Sequence, residues 1–409
     1  MKILSLSITF PTPASPGRGI FVRSRLAHLA NLAEVKVIAG VQVVNYWRLR
    51  AGLKASAGDV PARRVDGNLE IFHPRWLAIP FGGGLNGIAL FAQVLGPARE
   101  LRKRFPFELI DAHFAYPDGI AAWLLARCLG VPYLVTLRGN ETLHAGYPCR
   151  RMLIRRTLRH AARVICVAES LRTFAISLGV DPAKAVTIPN GIDPEIFYPR
   201  DRAASRRKYG IADDQRMILS VGALIERKGH HRVMRALHEL RAEGVRACLV
   251  IVGSAGPEGT YEEPLRKLAA ELGLQEQVRF LGQVAPEALP ELMSAADVLC
   301  LATTREGWPN VVHEALACGT PVVATDVGGI PDMIPSEEHG MVVPVNQAAA
   351  LRDALRKALA RCWDHGAISA RARARSWDQV AVEVLAQMQQ VLTEQAQPKE
   401  KAASGGKLL

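Results

Sequence analysis

The chain has 409 residues and a mass of 44.5 kDa, a length that favours two to three domains. Its 49% hydrophobic and 22% charged content is close to the globular average, which excludes a disordered, collagen-like or small disulfide-stapled protein. Its seven cysteines form no CxxC pair, so neither a zinc site nor a disulfide framework is expected.

The formal net charge of +12 is confined to one half of the chain. Residues 1–195 hold 25 of the 51 Lys and Arg residues but only 13 of the 39 Asp and Glu residues. The first half therefore carries the whole +12, and the remainder is neutral. This asymmetry indicates an anionic partner for the first half, and a nucleic acid, a membrane surface and a phosphorylated substrate all fit it.

Short apolar runs alternate with helical patterns along the whole chain. Ten strands are predicted, at 3–8, 35–39, 109–112, 133–137, 164–167, 217–221, 247–252, 278–280, 298–302 and 321–324. Helical patterns, such as those at 21–31 and 119–128, separate these strands. Near-continuous apolar strands between helices predict parallel sheets covered on both faces, and hence an α/β protein with two doubly wound, Rossmann-like domains.

No signal peptide or membrane span is predicted. The apolar run at the N-terminus is too short for a signal peptide. The longest uncharged stretch, 77–98, is broken by Pro80 and by the glycines at 82–84, which predicts a loop followed by a helix over 86–95.

The domain boundary is predicted near 188–199, where two prolines and an Asn-Gly turn separate the periodic regions. The domains are therefore expected at 1–192 and 193–377. An amphipathic pattern predicts a last helix over 378–394, and the polar residues 395–409 are expected to form a disordered tail.

The richest chemistry follows the strand predicted at 298–302. Glu306 lies in the loop after this strand, and Glu314 lies on the helix that Pro309 is expected to begin. Free backbone N–H groups of Asn310 and Val311 at that helix start favour an anion such as a diphosphate. Because two carboxylates are good acceptors for paired sugar hydroxyls, the arrangement fits a nucleotide sugar at the carboxyl end of a parallel strand.

The same segment, with its Glu-x7-Glu spacing and the following GTPVVATDVGGIPD (319–332), resembles the signature of the large retaining glycosyltransferase family four, bacterial envelope and exopolysaccharide type. Further segments that resemble this family are VGALIERKG (221–229), IVGSAG (251–256), IPNGID (188–193), DAHF (111–114) and VTLRG (135–139). The resemblance covers nearly the whole chain. It implies the GT-B fold, in which two Rossmann-like domains face each other across a cleft and the last helix crosses back to the first domain.

The resemblance also implies roles for individual residues. Glu306 would contact hydroxyls of the transferred sugar, Glu314 the ribose, and Lys228 the donor diphosphate. His113 would lie near the reacting centre, where an active role and a purely structural one both remain open. A glycine loop of the family corresponds to the segment from Gly17 to Gly19, although a plain turn fits these residues as well.

Two departures from the family pattern concern the charge around the diphosphate. Ala223 stands where the family usually has an Arg, and Arg138 stands where many members have a His. Arg138 is a candidate for the compensating charge. Arg227 is a second candidate, although it is adjacent to Lys228, and adjacent side chains rarely point the same way.

The prediction for the site consists of three catalytic and seven donor-binding residues, with no metal and no cofactor besides the donor substrate. The predicted catalytic residues are His113, Glu306 and Lys228. The predicted donor-binding residues are Gly17, Gly19, Arg138, Lys228, Asn310, Val311 and Glu314.

A basic amphipathic helix is predicted within 150–163. Arg151, Arg155, Arg159 and Arg163 recur at every fourth residue, beside a separate apolar stripe that includes Leu158. Four arginines alone fit the solvent-exposed face of an ordinary helix that packs on the core. Together with the +12 of this half, they favour docking on anionic lipid.

The sequence thus predicts a metal-independent, retaining hexosyltransferase that moves sugar from a nucleotide-diphosphate sugar to a glycan or lipid-diphosphate-linked acceptor in polysaccharide biosynthesis. It is expected in the cytoplasm, with peripheral docking on the inner face of the plasma membrane. The alternatives are a nucleotide-sugar epimerase of the same architecture, a non-catalytic basic protein that binds nucleic acid, and a family member that binds without transferring. No nucleic-acid partner is expected, because the sequence has no helix-turn-helix, zinc or RRM-like signature. Retention rests on the resemblance, since no carboxylate is placed as a nucleophile on the acceptor side.

Overall fold

The computed structural model describes residues 1–43, 60–79, 84–256 and 259–396. Within these residues the chain forms two large sheets and one small one. The strands of the first half are β1 (Lys2–Leu6), β2 (Glu34–Ile38), β3 (Val41–Gln42), β4 (Arg63–Asp66), β5 (Leu69–Phe72), β6 (Arg75–Trp76), β7 (Leu109–His113), β8 (Tyr133–Leu137), β9 (Arg163–Cys166) and β10 (Ala185–Thr187). Those of the second half are β11 (Arg216–Val221), β12 (Ala247–Val252), β13 (Val278–Gly282), β14 (Val298–Leu301), β15 (Val322–Thr325) and β16 (Gly340–Val343).

Helices cover both faces of the two large sheets. In the first half they are α1 (Ile20–Leu29), α2 (Leu85–Arg104), α3 (Ile120–Leu129), α4 (Asn140–His144), α5 (Pro148–His160) and α6 (Glu169–Ser177). In the second half they are α7 (Arg202–Lys208), α8 (His230–Ala242), α9 (Glu262–Glu271), α10 (Leu289–Ala295), α11 (Asn310–Ala317), α12 (Ile330–Met333), α13 (Ala348–Ala360), α14 (His365–Arg373) and α15 (Trp377–Ala396). No helix among the described residues is both long enough and apolar enough to cross a membrane.

The two large sheets share one design. The strand order of the first is β10-β9-β8-β7-β1-β2-β5-β4, and only the β4–β5 pair is antiparallel. The second, β13-β12-β11-β14-β15-β16, is parallel throughout. Each sheet has buried apolar layers on both faces, as parallel strands built of continuous apolar runs require. The predicted fold class, with two Rossmann-like α/β units, is therefore confirmed.

The last helix returns to the first half of the chain. Val384 and Met388 of α15 are fully buried in the same apolar layer as Val22 and Leu26 of α1. The chain passes between its two halves twice, near Ile192 and near Arg375. These two segments lie side by side, because Ile192 N donates to Arg375 O at 2.9 Å. The predicted crossover is therefore present. The domain boundary between 192 and 193 stays a prediction, and it falls in the segment that joins β10 to β11.

All ten predicted strands are present, with ends shifted by one or two residues, but three helical predictions need correction. The helix predicted over 86–95 is α2, which continues through Pro97 because its apolar stripe extends to Leu101. The last helix extends to Ala396, so the first two residues of the expected tail are helical. The remaining tail residues, 397–409, lie outside the described part, as do the loop residues 80–83. The third correction, to the basic helix, follows with the site.

Candidate functional site

The candidate site lies where the carboxyl ends of the two sheets face each other. Strand order reverses at β1 and β7 in the first sheet and at β11 and β14 in the second, and such points are the usual ligand crevices of open α/β sheets. A cavity of about 210 Å³ opens there. Phe21, Arg138 and Asn190 line it from the first half, and Arg227 and Glu306 line it from the second.

Glu306 is paired with two cations of the same half. Lys228 Nζ lies 2.6 Å from Glu306 Oε1, and Arg227 Nη1 lies 3.6 Å from the same oxygen. Thr303 Oγ1 also donates to Glu306 Oε1, at 3.1 Å. Both adjacent cations therefore reach one carboxylate, and the expectation that Arg227 and Lys228 point apart is wrong. They share a direction because they lie in a tight turn, Glu226–Lys228, and not on a strand.

Gly229 holds this turn against the end of β14. Its φ of +79° is in the left-handed region, and a Cβ there would lie 1.9 Å from Ala302 O. Only glycine fits such a close approach without displacement of the backbone. Thr304 N donates to Arg227 O at 3.0 Å, which joins the turn to the loop that carries Glu306. The Lys-Gly pair of the sequence is thus one structural unit.

The start of α11 presents unused backbone donors. The N–H groups of Asn310 and Val311 find no acceptor among the described residues, as expected for the first turn of a helix. The Asn310 side chain is engaged, because Asn190 Nδ2 donates to Asn310 Oδ1 at 3.0 Å. The predicted helix start is therefore present, and a residue of the first half contacts it directly, while anion binding there stays a prediction.

Glu314 lies one turn further along α11. Its carboxyl group makes no hydrogen bond or ion pair with another described residue, and burial raises its pKa to about 7. A carboxyl group without a partner in a dry environment is half-protonated near neutral pH, and donated hydrogen bonds would favour its ionised form.

On the opposite wall the charged groups are fully buried and pair with one another. Arg25 of α1 contacts both oxygens of Asp111, at 2.8 and 2.9 Å, and donates to Thr136 Oγ1 at 2.6 Å. Burial disfavours the Asp111 carboxylate, but Arg25, His113 and Arg138 together outweigh burial and lower its pKa to about 2. His113 Nε2 lies 3.4 Å from Asp111 Oδ2.

His113 has no exposed surface and lies behind Arg138. Arg138 Nη2 lies 3.0 Å from His113 Nδ1, and because an arginine can only donate, Nδ1 accepts and the ring proton is placed on Nε2. Burial lowers the pKa of His113 to about 3, so the ring is neutral at physiological pH. Its catalytic role stays a prediction, and in this geometry it acts on the cavity through Arg138.

Arg138 carries the charge of this network into the cavity. Its Nη1 donates to Asn190 Oδ1 at 3.1 Å, and its guanidinium lies over the Phe21 ring, 5.0 Å from the centroid. Burial and the nearby Arg25 lower the pKa of Arg138 to about 9, which leaves it charged at neutral pH. A chain of contacts therefore runs from Arg138 through Asn190 to the start of α11 in the other half.

The two walls touch at a pair of glycines. A Cβ on Gly139 would lie 2.5 Å from Gly307 Cα, and a Cβ on Gly307 would lie 1.8 Å from Arg138 O. Beside this contact, Ser170 Oγ donates to Gly328 O at 3.1 Å. The backbones on either side of the cleft are therefore in van der Waals contact next to Arg138 and Glu306.

The structure gives the surroundings of the glycine loop and of Ala223. Gly19 has a φ of +72°, and a Cβ there would lie 2.3 Å from Thr9 O, so its own backbone requires glycine; Gly17 has open space around it. Their donor-binding role stays a prediction. Ala223 lies beside Gly256, where a Cβ would come within 3.1 Å of the Ala223 methyl group.

The predicted basic helix is shorter than expected. The helix α5 ends at His160, and Arg163 is a buried residue of β9 that lies 3.0 Å from Glu394 of α15. Arg163 therefore does not belong to the exposed basic face of α5. The arginine at every fourth residue continues to this position only by chance, because the helix has already ended and strand β9 begins here. Arg151, Arg155 and Arg159 are exposed, as predicted.

The sequence interpretation missed two residues of the site. Arg25 lies among Val22, Leu26 and Leu29 on the apolar stripe of α1, and an arginine at such a position is a signal of a buried ion pair. Arg305 lines the cavity but has no sequence signal beyond its place next to Glu306. The described residues contain no cluster of three or more His, Cys, Asp or Glu that could hold a metal ion.

Two family models match the chain and divide it between them. "Glycosyltransferase Family 4" matches residues 27–196, and "Glycosyl transferases group 1" matches residues 201–375. The chain is 30% identical to the D-inositol 3-phosphate glycosyltransferase of Geodermatophilus obscurus, over 73% of this chain and 70% of that protein. The chain therefore belongs to glycosyltransferase family 4.

Further comparisons extend along most of the chain. The teichuronic acid biosynthesis glycosyltransferase TuaC of Bacillus subtilis is 27% identical over 87% of this chain and 88% of that protein. Other relatives named D-inositol 3-phosphate glycosyltransferase are matched over only 59% and 57% of their length. Anabaena Alr3699/HepE, solved in complex with UDP and glucose, superposes with a TM-score of 0.71 at 22% identity, over 95% of this chain and 99% of that one. At that identity the likeness concerns the fold alone, which is GT-B.

Proposed function

We propose that this protein transfers a hexose-type sugar from a nucleotide-diphosphate sugar to an acceptor hydroxyl, with retention of the anomeric configuration. One observation carries the proposal: Glu306, paired with Lys228, lines the cleft, and the open start of α11, which also carries Glu314, contacts the cavity-lining Asn190. This combination provides acceptors for sugar and ribose hydroxyls and donors for a diphosphate. Retention rests on membership of the family.

In the reaction, the bond between the anomeric carbon and the diphosphate oxygen breaks, and a bond from the anomeric carbon to the acceptor oxygen forms. The acceptor proton leaves with the diphosphate or to solvent. Lys228, Arg227 and the N–H groups of α11 would stabilise the leaving diphosphate, and Arg138 would add charge from the other wall. With these cations in place we propose that no metal is needed, which predicts full activity in the presence of a chelator.

The acceptor is proposed to be a glycan or a lipid-diphosphate-linked sugar of polysaccharide biosynthesis. The similarity to TuaC, a glycosyltransferase named for teichuronic acid biosynthesis, supports this assignment, and so does the excess of positive charge in the first half. A phosphate-bearing acceptor suits a wall with net positive charge.

A thermal-shift panel of UDP-, GDP- and ADP-sugars on the full chain tests donor binding, because a ligand that binds only the folded state raises the melting temperature. The donor found in this way is then incubated with candidate acceptors. Free nucleoside diphosphate is expected only when an acceptor is present. An epimerase would instead convert the donor sugar without an acceptor, and a protein that only binds would leave the donor unchanged.

We further propose that the exposed side of α5 docks on an anionic membrane. Arg151, Arg155 and Arg159 project there together with Met152, whose side chain is 63% exposed. The start of α2 lies beside α5, because a Cβ on Gly84 would contact the Leu153 side chain, and the exposed Leu85 and Ile88 follow it. Basic residues next to exposed apolar ones are typical of surfaces that dock on anionic lipid.

The docking surface is tested with the triple variant R151Q/R155Q/R159Q. Each neutralised charge is expected to remove about 1 kcal/mol of attraction, so sedimentation with vesicles that contain anionic lipid should weaken by about 100-fold. The matched control is R207Q/R235Q/K267Q, which removes three exposed charges from the second half. Equal binding by the two variants would remove the membrane from the proposal.

A further inference from the structure

Arg305 is the cation of the cleft that the proposed donor site leaves unused. Its half-buried side chain lines the same cavity as Arg138 and Glu306. Its guanidinium group makes no hydrogen bond or ion pair with any described residue, and only its backbone groups are engaged. A guanidinium held at a cavity wall without a protein partner is placed to bind a ligand oxyanion.

The charges that line the cavity do not balance. Three arginines, Arg138, Arg227 and Arg305, face a single carboxylate, that of Glu306. Lys228 adds a fourth positive charge, since it is paired with that same carboxylate. A donor diphosphate brings about two negative charges and is met by Lys228, Arg227, Arg138 and the start of α11, while Glu306 offsets one further positive charge. One positive charge remains, and it is that of Arg305.

A second cation, Arg150, lies near the end of a short helix that starts at the cavity. The helix α4 begins at Asn140, which lines the same cavity, and ends at His144. Arg150 Nη1 lies 3.3 Å from His144 Nδ1, and the Arg150 guanidinium lies 4.7 Å from the centroid of the Tyr147 ring. Burial lowers the pKa of His144 to about 4, with contributions from both Arg150 and Arg305. Both guanidinium groups therefore disfavour the protonated form of this imidazole, and Arg150 contacts it directly.

We propose that Arg305 forms a subsite for a second oxyanion, a phosphate or a carboxylate, besides the donor diphosphate. The inference rests on the proposed function, because it assigns this oxyanion to the acceptor or to the transferred sugar. Arg305 is then the residue by which the enzyme distinguishes anionic from neutral substrates. A forked guanidinium binds a planar or tetrahedral oxyanion through two N–H groups, which gives it more selectivity than a point charge.

The test measures binding of inorganic phosphate to the full chain in the presence of a saturating nucleoside diphosphate, at constant ionic strength. The diphosphate site is then filled, and the phosphate reports on the second subsite. R305Q is expected to weaken phosphate binding about tenfold, which corresponds to the loss of one charge-assisted interaction. R305K should retain part of the affinity. R207Q is the matched control and should bind phosphate as the unmodified chain does, because Arg207 is exposed on α7, outside the cavity.

Two further arms identify the source of the oxyanion. If the transferred sugar carries it, UDP-glucuronate will stabilise the chain more than UDP-glucose, and R305Q will remove the difference. If the acceptor carries it, the two donors will behave alike, and glucose 6-phosphate will bind the nucleotide complex more tightly than glucose in an Arg305-dependent manner. Equal phosphate affinity in R305Q and R207Q overturns the inference while nucleotide binding still supports the proposed function. Absence of any nucleotide binding overturns both.

Discussion

On the first wall of the cleft, charged groups pair with one another out of contact with water, whereas on the second wall they remain partly exposed and incompletely paired. Arg25 and Asp111 are 2% and 0% exposed and contact each other twice. Across the cleft, Glu314 has no partner among the described residues, and the first N–H groups of α11 have no acceptor there.

This difference in charge pairing indicates that the first wall positions side chains and the second wall binds the ligand. The buried ion pair of the first wall is complete without a ligand, so it holds His113 and Arg138 in one geometry at all times. The second wall has groups that only a ligand completes, which is the arrangement expected where a nucleotide sugar binds. Removal of a group should therefore reduce stability on the first wall and activity on the second.

The largest effect is expected from Asp111→Asn. The substitution leaves Arg25 buried without a counter-ion, which typically costs about 3–5 kcal/mol in the free energy of unfolding. Urea unfolding of the full chain measures it. The control is Asp214→Asn, since the Asp214–Arg246 pair is exposed and should contribute less than about 1 kcal/mol. Equal losses in both variants would contradict the assignment of a buried, structural pair.

The second effect concerns activity on the other wall. Glu306→Gln removes the charge that pairs with Lys228 and the acceptor proposed for sugar hydroxyls, so the transfer rate should fall about 100-fold. The free energy of unfolding should change little. The control is Glu226→Gln, an exposed carboxylate on the same turn as Lys228. Near-normal turnover in Glu306→Gln would remove this residue from the site.

A third prediction tests the link between the buried network and the cavity. Arg138→Lys keeps the charge but loses the fork that reaches both His113 and Asn190, and we expect about a tenfold lower kcat/KM. His113→Asn should have a similar effect if the imidazole acts by positioning Arg138. The double variant should then be no worse than either single one. Additive losses would instead assign His113 a separate role in the reaction.

The smallest effect is a pH dependence of donor binding. Burial raises the pKa of Glu314 to about 7, and only its ionised form accepts hydrogen bonds from a ribose diol through both oxygens. Affinity for the nucleotide sugar should therefore rise severalfold from pH 6 to pH 8 and then level off. Calorimetric titration across this range measures it, and Glu314→Gln should abolish the step. A step that persists in the variant would come from another group.

Sequence patterns predicted the strands well and the ends of helices less well. Most of the ten predicted strands are buried apolar runs, whose positions follow from the local sequence pattern. Arg163 was assigned to a helix because spacing by four continued one step into β9. The short strands β4 and β5 were missed. β4 has three charged residues and an exposed Val65, and it is a strand only through its antiparallel pairing with β5.

In the candidate site, too, local patterns were predictable from the sequence and contacts between distant residues were not. The family motifs identified Glu306, Glu314 and Lys228, because each lies in a local segment with its own pattern. Which residues contact them could not be read from such segments. Arg25 and Asp111 are 86 positions apart, and Asn190 and Asn310 are 120 positions apart, yet each pair is in hydrogen-bond contact.

The sequence by itself determined the alternation of strands and helices, the motifs at the carboxyl ends of the strands, and the restriction of the +12 charge to the first half. These are local or additive properties, and so they need no knowledge of packing. Only the tertiary structure decided that Arg163 is buried, that Arg227 and Lys228 share one carboxylate, and that the Arg305 side chain faces the cavity without a partner among the described residues. Burial and charge pairing depend on which distant segments meet, and that is set by the docking of two sheets across a cleft.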